Sequence, residues 1–399
     1  MKVALVRYNY SPHGGAERYL DGLLAGLRAA GIHVCLLCAS WEGEGATDVP
    51  LVRLSVPRKP VPLRLFLFAR AVREWSRAHP DWLLFSLERV PGAEVYRAGD
   101  GCHAEWLERK RPLRPRSWPL DAVRPLNLAY LHLEKAIFAS GRLRAVIANS
   151  ERGRGEIVRR FGLPPERIAV VRNGVDAALF PLDRRETAAA SLRGRLGIAA
   201  GEPVFLFVGS GFARKGLGVL ARAAVRLARA GRSFRVVVVG KGDPAPYRRV
   251  LRSDGAEDRF AFTGPVAGAV EFFLGADAFV FPTVYEPFSN ACLEAMAAGL
   301  PVITTAVNGA AEVLRDGESG FVLSDPQDDA LLAERMEALL DGNRRRRMGA
   351  AARRAAPATG SPSSLRGAAP PGRRAPPPRA RRGRPARPRS YRRRSPRRS

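Results

Sequence analysis

Short, continuous apolar runs recur along most of this chain, and stretches with helical periodicity separate them. In the second half these runs lie at 204–209 (VFLFVG), 235–240, 260–264, 278–282, 301–305 and 320–323. Unbroken apolar runs are typical of strands buried on both faces, as in parallel sheets that helices cover on each side. The pattern therefore predicts a doubly wound α/β sheet in this half.

The first half repeats the pattern from its start. An apolar run at 2–7 is followed by Gly14 and Gly15, a helical pattern over 16–30 and a second apolar run at 33–38, which together indicate a βαβ unit. Further strands are predicted at 83–86, 95–98, 145–149 and 168–171. Because periodicity is lost near 175–200, we predict two Rossmann-like domains facing a cleft, at residues 1–175 and 176–356.

The net charge of +28 is concentrated at one end. Fourteen arginines and no acidic residue lie from Pro357 to the C-terminus. Such a segment cannot bury enough apolar surface to offset its ordering entropy, so we predict a disordered Arg/Pro-rich tail at 357–399. The rest of the chain is still basic, which indicates an anionic partner such as phosphate, nucleic acid or a membrane surface.

Cysteine usage and hydropathy disfavour several classes of protein. Cys35 and Cys38 form a Cys-x-x-Cys pair inside a predicted buried strand, where alternation places them on opposite faces and disfavours a redox or zinc site. No segment is long and apolar enough to span a bilayer, and the N-terminus lacks a signal-peptide pattern. We therefore expect a cytoplasmic protein.

Arg214 and Lys215 lie between a predicted strand end and a predicted helix start. Ligands of open α/β sheets bind at that edge, and two cations there could neutralise a diphosphate. A solvated basic turn is the alternative. The glycines from Gly209 to Gly216 do not have the spacing of a dinucleotide-binding fingerprint, so a nicotinamide enzyme is disfavoured.

The stretch 286–302, EPFSNACLEAMAAGLPV, predicts a loop followed by a helix that begins near Ser289 and Asn290. A helix N-terminus attracts anions through its free N–H groups and dipole. Glu294 lies slightly too deep in the helix to serve that dipole, whereas for Glu286 this role is the alternative. We therefore predict a phosphate at the N-terminus, with Glu286 and Glu294 accepting hydroxyl groups of the same ligand.

Five ordered motifs over roughly residues 1–350 resemble the retaining GT-B glycosyltransferases of glycosyltransferase family 4. They are GGAER at 14–18, VRNGVD at 171–176, the Arg214–Lys215 pair, FTGPV at 262–266 and the EPFSN stretch with its second glutamate. The resemblance implies GT-B architecture, with the acceptor on residues 1–175 and a nucleotide sugar on residues 176–356.

Carried over to this chain, the resemblance implies a donor site. Glu286 would hold the transferred sugar and Glu294 the ribose, while Arg214 and Lys215 neutralise the diphosphate. The other implied donor contacts are Gly15, Gly209, Thr263, Val266 and the backbone N–H groups of Phe288, Ser289 and Asn290. Since no Asp-x-Asp occurs in the sequence, we expect no metal clamp and no cofactor besides the nucleotide sugar.

Candidate acceptor contacts lie in the first half. Gly14 could let the backbone approach a ligand, and a plain βα turn is the alternative. Asp100, which stands between glycines after a predicted strand, could orient or deprotonate an acceptor hydroxyl, or it could cap the next segment. We assign Gly14, Asp100 and His103 to the acceptor, and the candidate catalytic residues are Asp100, Arg214, Lys215 and Glu286.

Shorter motifs at 40–43, 91–105 and 209–216 resemble the lipopolysaccharide core glucosyltransferases within this family. That resemblance implies UDP-glucose, retention of configuration, an inner-core heptose acceptor and the inner face of the cytoplasmic membrane. Basic, aromatic-rich stretches at 58–75 and 108–119 fit an anionic membrane surface, although an amphipathic helix packed on its own sheet and a solvated loop are the alternatives. A retaining transferase for another donor and acceptor and a nucleotide-sugar epimerase remain as alternatives, and no nucleic-acid partner is expected.

The sequence changes abruptly at 357, where family members continue into a helix that crosses back onto the first domain. Arg, Pro, Ala, Gly and Ser, which GC-rich codons encode, dominate from there. We therefore hypothesise a frameshift near codon 357, and a genuine polybasic tail is the alternative. Resequencing the gene decides between them, since the frameshift predicts an amphipathic helix in another reading frame.

Overall fold

The computed structural model describes residues 1–10, 15–41, 49–57, 59–113 and 118–358. The strands of its first half are β1 (Lys2–Val6), β2 (Asn9–Tyr10), β3 (His33–Cys38), β4 (Ser40–Trp41), β5 (Leu51–Arg53), β6 (Trp82–Ser86), β7 (Val95–Arg97), β8 (Ala145–Ala148) and β9 (Ile168–Val170). The helices are α1 (Gly15–Ala29), α2 (Val61–Ala78), α3 (His103–Lys110), α4 (Trp118–Val123), α5 (Pro125–Phe138) and α6 (Glu151–Phe161).

Seven of these strands form a parallel sheet in the order β5-β3-β1-β6-β7-β8-β9, and β2 pairs with β4 separately. The central strand β1 is covered on both faces. Val3 and Leu5 pack against α1, whereas Ala4 and Val6 pack against α2. Alternation along the strand therefore supplies both faces of the sheet with core residues, which explains the unbroken apolar run.

The second half contains the strands β10 (Val204–Val208), β11 (Arg235–Val239), β12 (Phe260–Gly264), β13 (Ala278–Phe281), β14 (Val302–Thr305) and β15 (Gly320–Leu323). Its helices are α7 (Arg185–Leu196), α8 (Leu217–Arg229), α9 (Ala245–Ser253), α10 (Val270–Gly275), α11 (Asn290–Ala297), α12 (Asp329–Ala338) and α13 (Gly342–Ala355). The strands form a parallel sheet in the order β12-β11-β10-β13-β14-β15. The prediction of two Rossmann-like, doubly wound parallel-sheet domains is confirmed.

The two sheets belong to one compact unit. Residues 171–203 connect them through short 3-10 turns and α7, which packs on α10 of the second half. After α13 the chain returns to this connection, where the Val175 N–H donates to the Pro357 carbonyl over 2.9 Å. The predicted disordered tail and the segment of the frameshift hypothesis lie, apart from Pro357 and Ala358, outside the described residues.

Candidate active site

Three charged side chains meet at the carboxyl end of the second sheet. The Glu286 carboxylate forms an ion pair with the Lys215 ammonium and another with the Arg214 guanidinium, whose Nη1 lies 3.1 Å from Oε2. Arg214 Nη1 also donates to the Tyr285 carbonyl over 3.2 Å. The structure thus brings together three of the four candidate catalytic residues. In the sequence, Glu286 lies about 70 positions after the two cations.

The turn that carries the two cations is fastened to the segment that leads to Glu286. The Arg214 carbonyl accepts hydrogen bonds from the Val284 N–H and from the Thr283 hydroxyl, both at 3.0 Å. Gly216 has a φ of +82° and passes so close to the Pro282 carbonyl that any Cβ would collide with it. Glycine is therefore required here by backbone conformation and by space, and the close approach holds cations and carboxylate in one cluster.

Lys215 is the more enclosed of the two cations, with 11% of its side chain exposed against 35% for Arg214. Its ammonium lies 4.9 Å from the centre of the Phe281 ring. Burial lowers the pKa of the Lys215 ammonium, while the Glu286 carboxylate acts in the opposite direction. An anionic ligand that replaced Glu286 beside Lys215 would gain from the same low-dielectric surroundings.

Helix α11 begins beside this cluster. Ser289 is its N-cap, with the side-chain oxygen accepting from the Cys292 N–H at 3.3 Å. The Ser289 N–H, which we expected to face the phosphates, donates instead to Asn308 Oδ1 over 3.2 Å, so in this structure it fixes the loop. Phe288 is buried, and Asn290 Oδ1 accepts from Asn173 Nδ2 at 2.7 Å.

The remaining candidate donor contacts follow the same edge of the sheet. Glu294 is half-buried on α11, and Gly209 follows β10, where its N–H donates to Val239. Thr263 and Val266 lie at the end of β12 and just beyond it. Three strand spacings separate β12 from β13, or about 14 Å, which an extended nucleotide sugar could span.

The candidate acceptor residues of the first half differ in their surroundings. Asp100 has 76% of its side chain exposed, and a carboxylate oxygen lies 3.5 Å from Arg89 Nη1. His103 is the first residue of α3; its backbone N–H donates to Glu134, and its Nε2 lies 3.1 Å from Asn127 Oδ1. Burial, reinforced by the charge of Arg89, lowers the pKa of His103 to about 4, so its ring is neutral at neutral pH.

Of the two N-terminal glycines, Gly14 and Gly15, the structure describes only Gly15. Gly15 is the first residue of α1, after β2 and before the next strand of the sheet. Gly14 lies outside the described residues, so its assignment to the acceptor stays a prediction.

A cavity of about 740 Å³ opens beside the cluster and is lined by both halves of the chain. Trp106 and Lys110 of α3 border it from the first half, while Arg214, Phe212 and Tyr247 border it from the second. Each half contributes an aromatic side chain and a cation to the lining, which suits a polar, anionic ligand that bridges the two halves.

Two family models cover most of the chain. One, described as glycosyl transferases group 1, matches residues 189–355, and the other, described as glycosyltransferase family 4, matches residues 13–179. The first range contains all strands of the second sheet, and the second range contains every strand of the first sheet except β1. The chain belongs to the GT-B glycosyltransferases.

Several known proteins resemble this glycosyltransferase. The lipopolysaccharide glucosyltransferase WaaG of Escherichia coli K12 is 27% identical over 84% of this chain and 88% of its own. A crystal structure of WaaG superposes with a TM-score of 0.75 at 25% identity, covering 88% of this chain and 94% of that one. Anabaena HepE in complex with UDP-glucose shares the fold at 20% identity, with a TM-score of 0.63 over 89% and 94% of the two chains.

A D-inositol 3-phosphate glycosyltransferase of Nocardia farcinica is 33% identical over 61% of this chain and 58% of its own. This similarity therefore extends over a smaller part of each chain than the similarity to WaaG does.

Sequence reasoning missed two residues that hold the candidate acceptor segment around Asp100 and His103 in place. Glu134 accepts the N–H groups of His103 and Ala104 at 2.8 and 3.2 Å and so caps α3. Arg89 reaches Asp100 and donates to the Gly101 carbonyl over 3.1 Å. A lone glutamate in the apolar helix α5 was the one signal for Glu134, whereas nothing local marked Arg89.

Proposed function

We propose that this glycosyltransferase moves a hexose, glucose from UDP-glucose, with retention of configuration onto an inner-core heptose of lipopolysaccharide or a similar lipid-linked saccharide. The observation that carries the proposal is the pairing of Glu286 with Lys215 and Arg214 at the strand ends, beside the α11 N-terminus. The similarity to WaaG supports the choice of donor and acceptor.

The proposed reaction needs charge stabilisation more than a nucleophile. The bond from the sugar C1 to the diphosphate breaks, the acceptor oxygen attacks from the same face, and the acceptor proton passes to the departing phosphate oxygen. Lys215 and Arg214 lie where they would stabilise the charge that grows on that oxygen. Glu286, released from the cations by the diphosphate, would accept sugar hydroxyls, and Asp100 would orient the acceptor hydroxyl.

A donor screen tests the proposal. Purified protein is incubated with truncated lipopolysaccharide that ends in inner-core heptose and with UDP-glucose, UDP-galactose, UDP-N-acetylglucosamine or GDP-mannose. We expect transfer from UDP-glucose to exceed transfer from the other donors, and NMR of the product to show the α-configuration of the donor. A β-linked product or transfer only from another nucleotide sugar would contradict the proposal.

We also propose that transfer proceeds without a divalent metal. Within the described ranges, no group of three or more His, Cys, Asp or Glu side chains is placed to hold a metal ion. Two cations, one of them largely enclosed, are available for the diphosphate instead. We expect full activity in excess EDTA, measured as UDP release; activity lost with EDTA and restored by Mg²⁺ would refute this part.

A membrane surface is the proposed location of the acceptor. None of the helices in the part of the chain that the structure describes has the length and apolar content of a bilayer span. However, α4 and α5 expose Leu120 and Leu128, and α2 exposes Phe66. Phe66 packs edge-on against His132 of α5 at 5.6 Å, so the exposed side chains of α2 and α5 adjoin. Lys110 of the basic segment 108–111 pairs with Asp121 of α4 at 2.7 Å, so basic and apolar side chains adjoin and suit anionic lipid.

Vesicle co-sedimentation tests the membrane proposal. We expect the protein to bind vesicles with anionic lipid more strongly than neutral vesicles, and Leu120→Ser/Leu128→Ser to weaken that binding about tenfold through lost apolar burial. Leu179→Ser/Val250→Ser is the matched control, because these side chains are similarly exposed but lie in the second half. Equal binding to both vesicle types, or an equal loss in the control, would refute the proposal.

Inositol phosphate is a second class of acceptor to be tested in parallel. The Nocardia relative is named for transfer to D-inositol 3-phosphate, which like phosphorylated core saccharide is an anionic polyol. The cation-lined cavity is compatible with either. Including inositol phosphate in the screen separates the two, since we expect no transfer to it.

A further inference from the structure

Tyr285 is a second-half residue whose hydroxyl lies among first-half residues. Only 2% of it is exposed. Its ring lies 5.1 Å from the Arg152 guanidinium and 6.4 Å from the Trp106 ring, both of which belong to the first half. A tyrosine that merely filled the core of its own domain would not be enclosed by the other one.

The hydroxyl of Tyr285 makes two hydrogen bonds across the boundary between the halves. It accepts from the Cys102 N–H at 2.9 Å and donates to Glu156 Oε2 at 2.9 Å. Arg152 pairs with Glu156 at 2.5 Å, so the acceptor carboxylate is itself held in place. Burial and the negative charge of Glu156 raise the pKa of the Tyr285 hydroxyl, which therefore stays protonated and remains a donor.

Both ends of this contact adjoin the candidate site. Tyr285 immediately precedes Glu286, and its carbonyl accepts from Arg214. Cys102 lies between Asp100 and His103, which are both assigned to the acceptor. One hydroxyl thus links the backbone that carries the donor carboxylate to the backbone that carries the acceptor side.

Gly101 shows how closely the two segments approach. Its φ is +68°, and a Cβ would collide with the Tyr285 hydroxyl and lie 2.7 Å from Pro287 Cγ. Gly92 provides a comparison, because it has a φ of +93° but no atom within 4 Å of a Cβ. The two glycines therefore share backbone strain on substitution, and only Gly101 adds a steric clash with the donor segment.

We propose that Tyr285 is a positioning residue that sets the acceptor segment 100–103 against Glu286, so that its hydroxyl governs the alignment of acceptor with donor. The inference rests on the proposed function, because it assumes that transfer takes place between these segments. All candidate donor contacts except Gly15 belong to the second half, so donor binding should depend little on the hydroxyl. Misplacing a reacting group by about 1 Å can cost about 100-fold in rate.

The test compares transfer with acceptor-independent release of UDP. Tyr285→Phe keeps the ring and its contacts with Arg152 and Trp106 but removes the hydroxyl. We expect transfer to truncated lipopolysaccharide to fall about tenfold, UDP affinity to stay within about twofold, and hydrolysis of UDP-glucose without acceptor to be unchanged. The ratio of hydrolysis to transfer would then rise about tenfold, which a general loss of folded protein would not produce.

Gly101→Ala should shift segment 100–103 relative to Glu286 without removing the Tyr285 hydroxyl. We expect it to raise the hydrolysis-to-transfer ratio as Tyr285→Phe does, while Gly92→Ala leaves the ratio at the wild-type value. The double variant Gly101→Ala/Tyr285→Phe should be less impaired than the product of the two single effects, because both act on one contact.

Glu312→Gln controls for simple loosening of the two halves. Glu312, in the second half, accepts from the Glu151 and Arg152 N–H groups at 3.1 and 2.9 Å, so it joins the halves at the start of α6 and not through segment 100–103. Its substitution should lower the melting temperature without changing the hydrolysis-to-transfer ratio.

The outcomes separate this inference from the proposed function. If the wild-type protein transfers glucose and Tyr285→Phe has the same hydrolysis-to-transfer ratio, the inference about Tyr285 is overturned and the proposed function stands. The same holds if Glu312→Gln or Gly92→Ala raises the ratio as much as Gly101→Ala does. A wild-type protein that transfers nothing from UDP-glucose overturns the proposed function, and this inference with it.

Discussion

Replacing Glu286 by glutamine is expected to lower the turnover of sugar transfer about 100-fold while strengthening the binding of UDP. The carboxylate pairs with Lys215 and Arg214, the two cations that would bind the diphosphate. It therefore competes with UDP for them, and its removal should improve UDP affinity about fivefold. Turnover falls because the amide holds the sugar hydroxyls less strongly than the carboxylate does.

Calorimetry with UDP and an assay of UDP release measure the two effects. Glu271→Gln is the matched control, since Glu271 forms an exposed ion pair with Arg184 in the same half. We expect both quantities to stay within about twofold in that variant, because exposed ion pairs contribute little. Weaker UDP binding by Glu286→Gln would contradict the competition for the cations, and an unchanged turnover would contradict the role on the sugar hydroxyls.

The second large effect is expected at Lys215. Lys215→Met should lower kcat/KM about 1,000-fold and weaken UDP binding at least about tenfold, because it removes an enclosed cation from the diphosphate. Methionine has a similar length and can keep the contact with the Phe281 ring, so the fold should persist. Arg214→Met should have a smaller effect, because its more exposed charge is screened by solvent.

Lys2→Met controls for the loss of a lysine charge. Lys2 pairs with Asp81 at 2.6 Å, and both side chains are about half exposed. We expect its kinetics to match the wild type. Kinetics of Lys215→Met that resemble those of Lys2→Met, or a larger loss in Arg214→Met, would contradict the assigned order of the two cations.

The fold was predictable wherever strands are buried on both faces. The runs at 260–264 and 320–323 coincide with β12 and β15. The edge strand β5 was missed because its first residue, Leu51, is 44% exposed and the strand is only three residues long. A short edge strand needs neither a long apolar run nor alternation, so it leaves little trace in the sequence.

The candidate site was predictable only in part, because local patterns place single elements but do not show which distant side chains meet. Each helix start and strand end could be placed from local patterns, and their common edge of the sheet brings Lys215 near Glu286. The ion pairs of Glu286 with the cations were not foreseen, because spacing does not show which charges meet. The bond from Cys102 to Tyr285 joins residues 183 positions apart, and no local pattern encodes such a contact.

UDP release from UDP-glucose, measured with and without truncated lipopolysaccharide, tests the central claim most directly. A transferase whose donor site is the Glu286, Lys215 and Arg214 cluster should release UDP in proportion to the acceptor supplied, and Lys215→Met should not. Conversion of UDP-glucose into another nucleotide sugar without release of UDP would instead indicate an epimerase. That result, or UDP release independent of both acceptor and Lys215, would contradict the account.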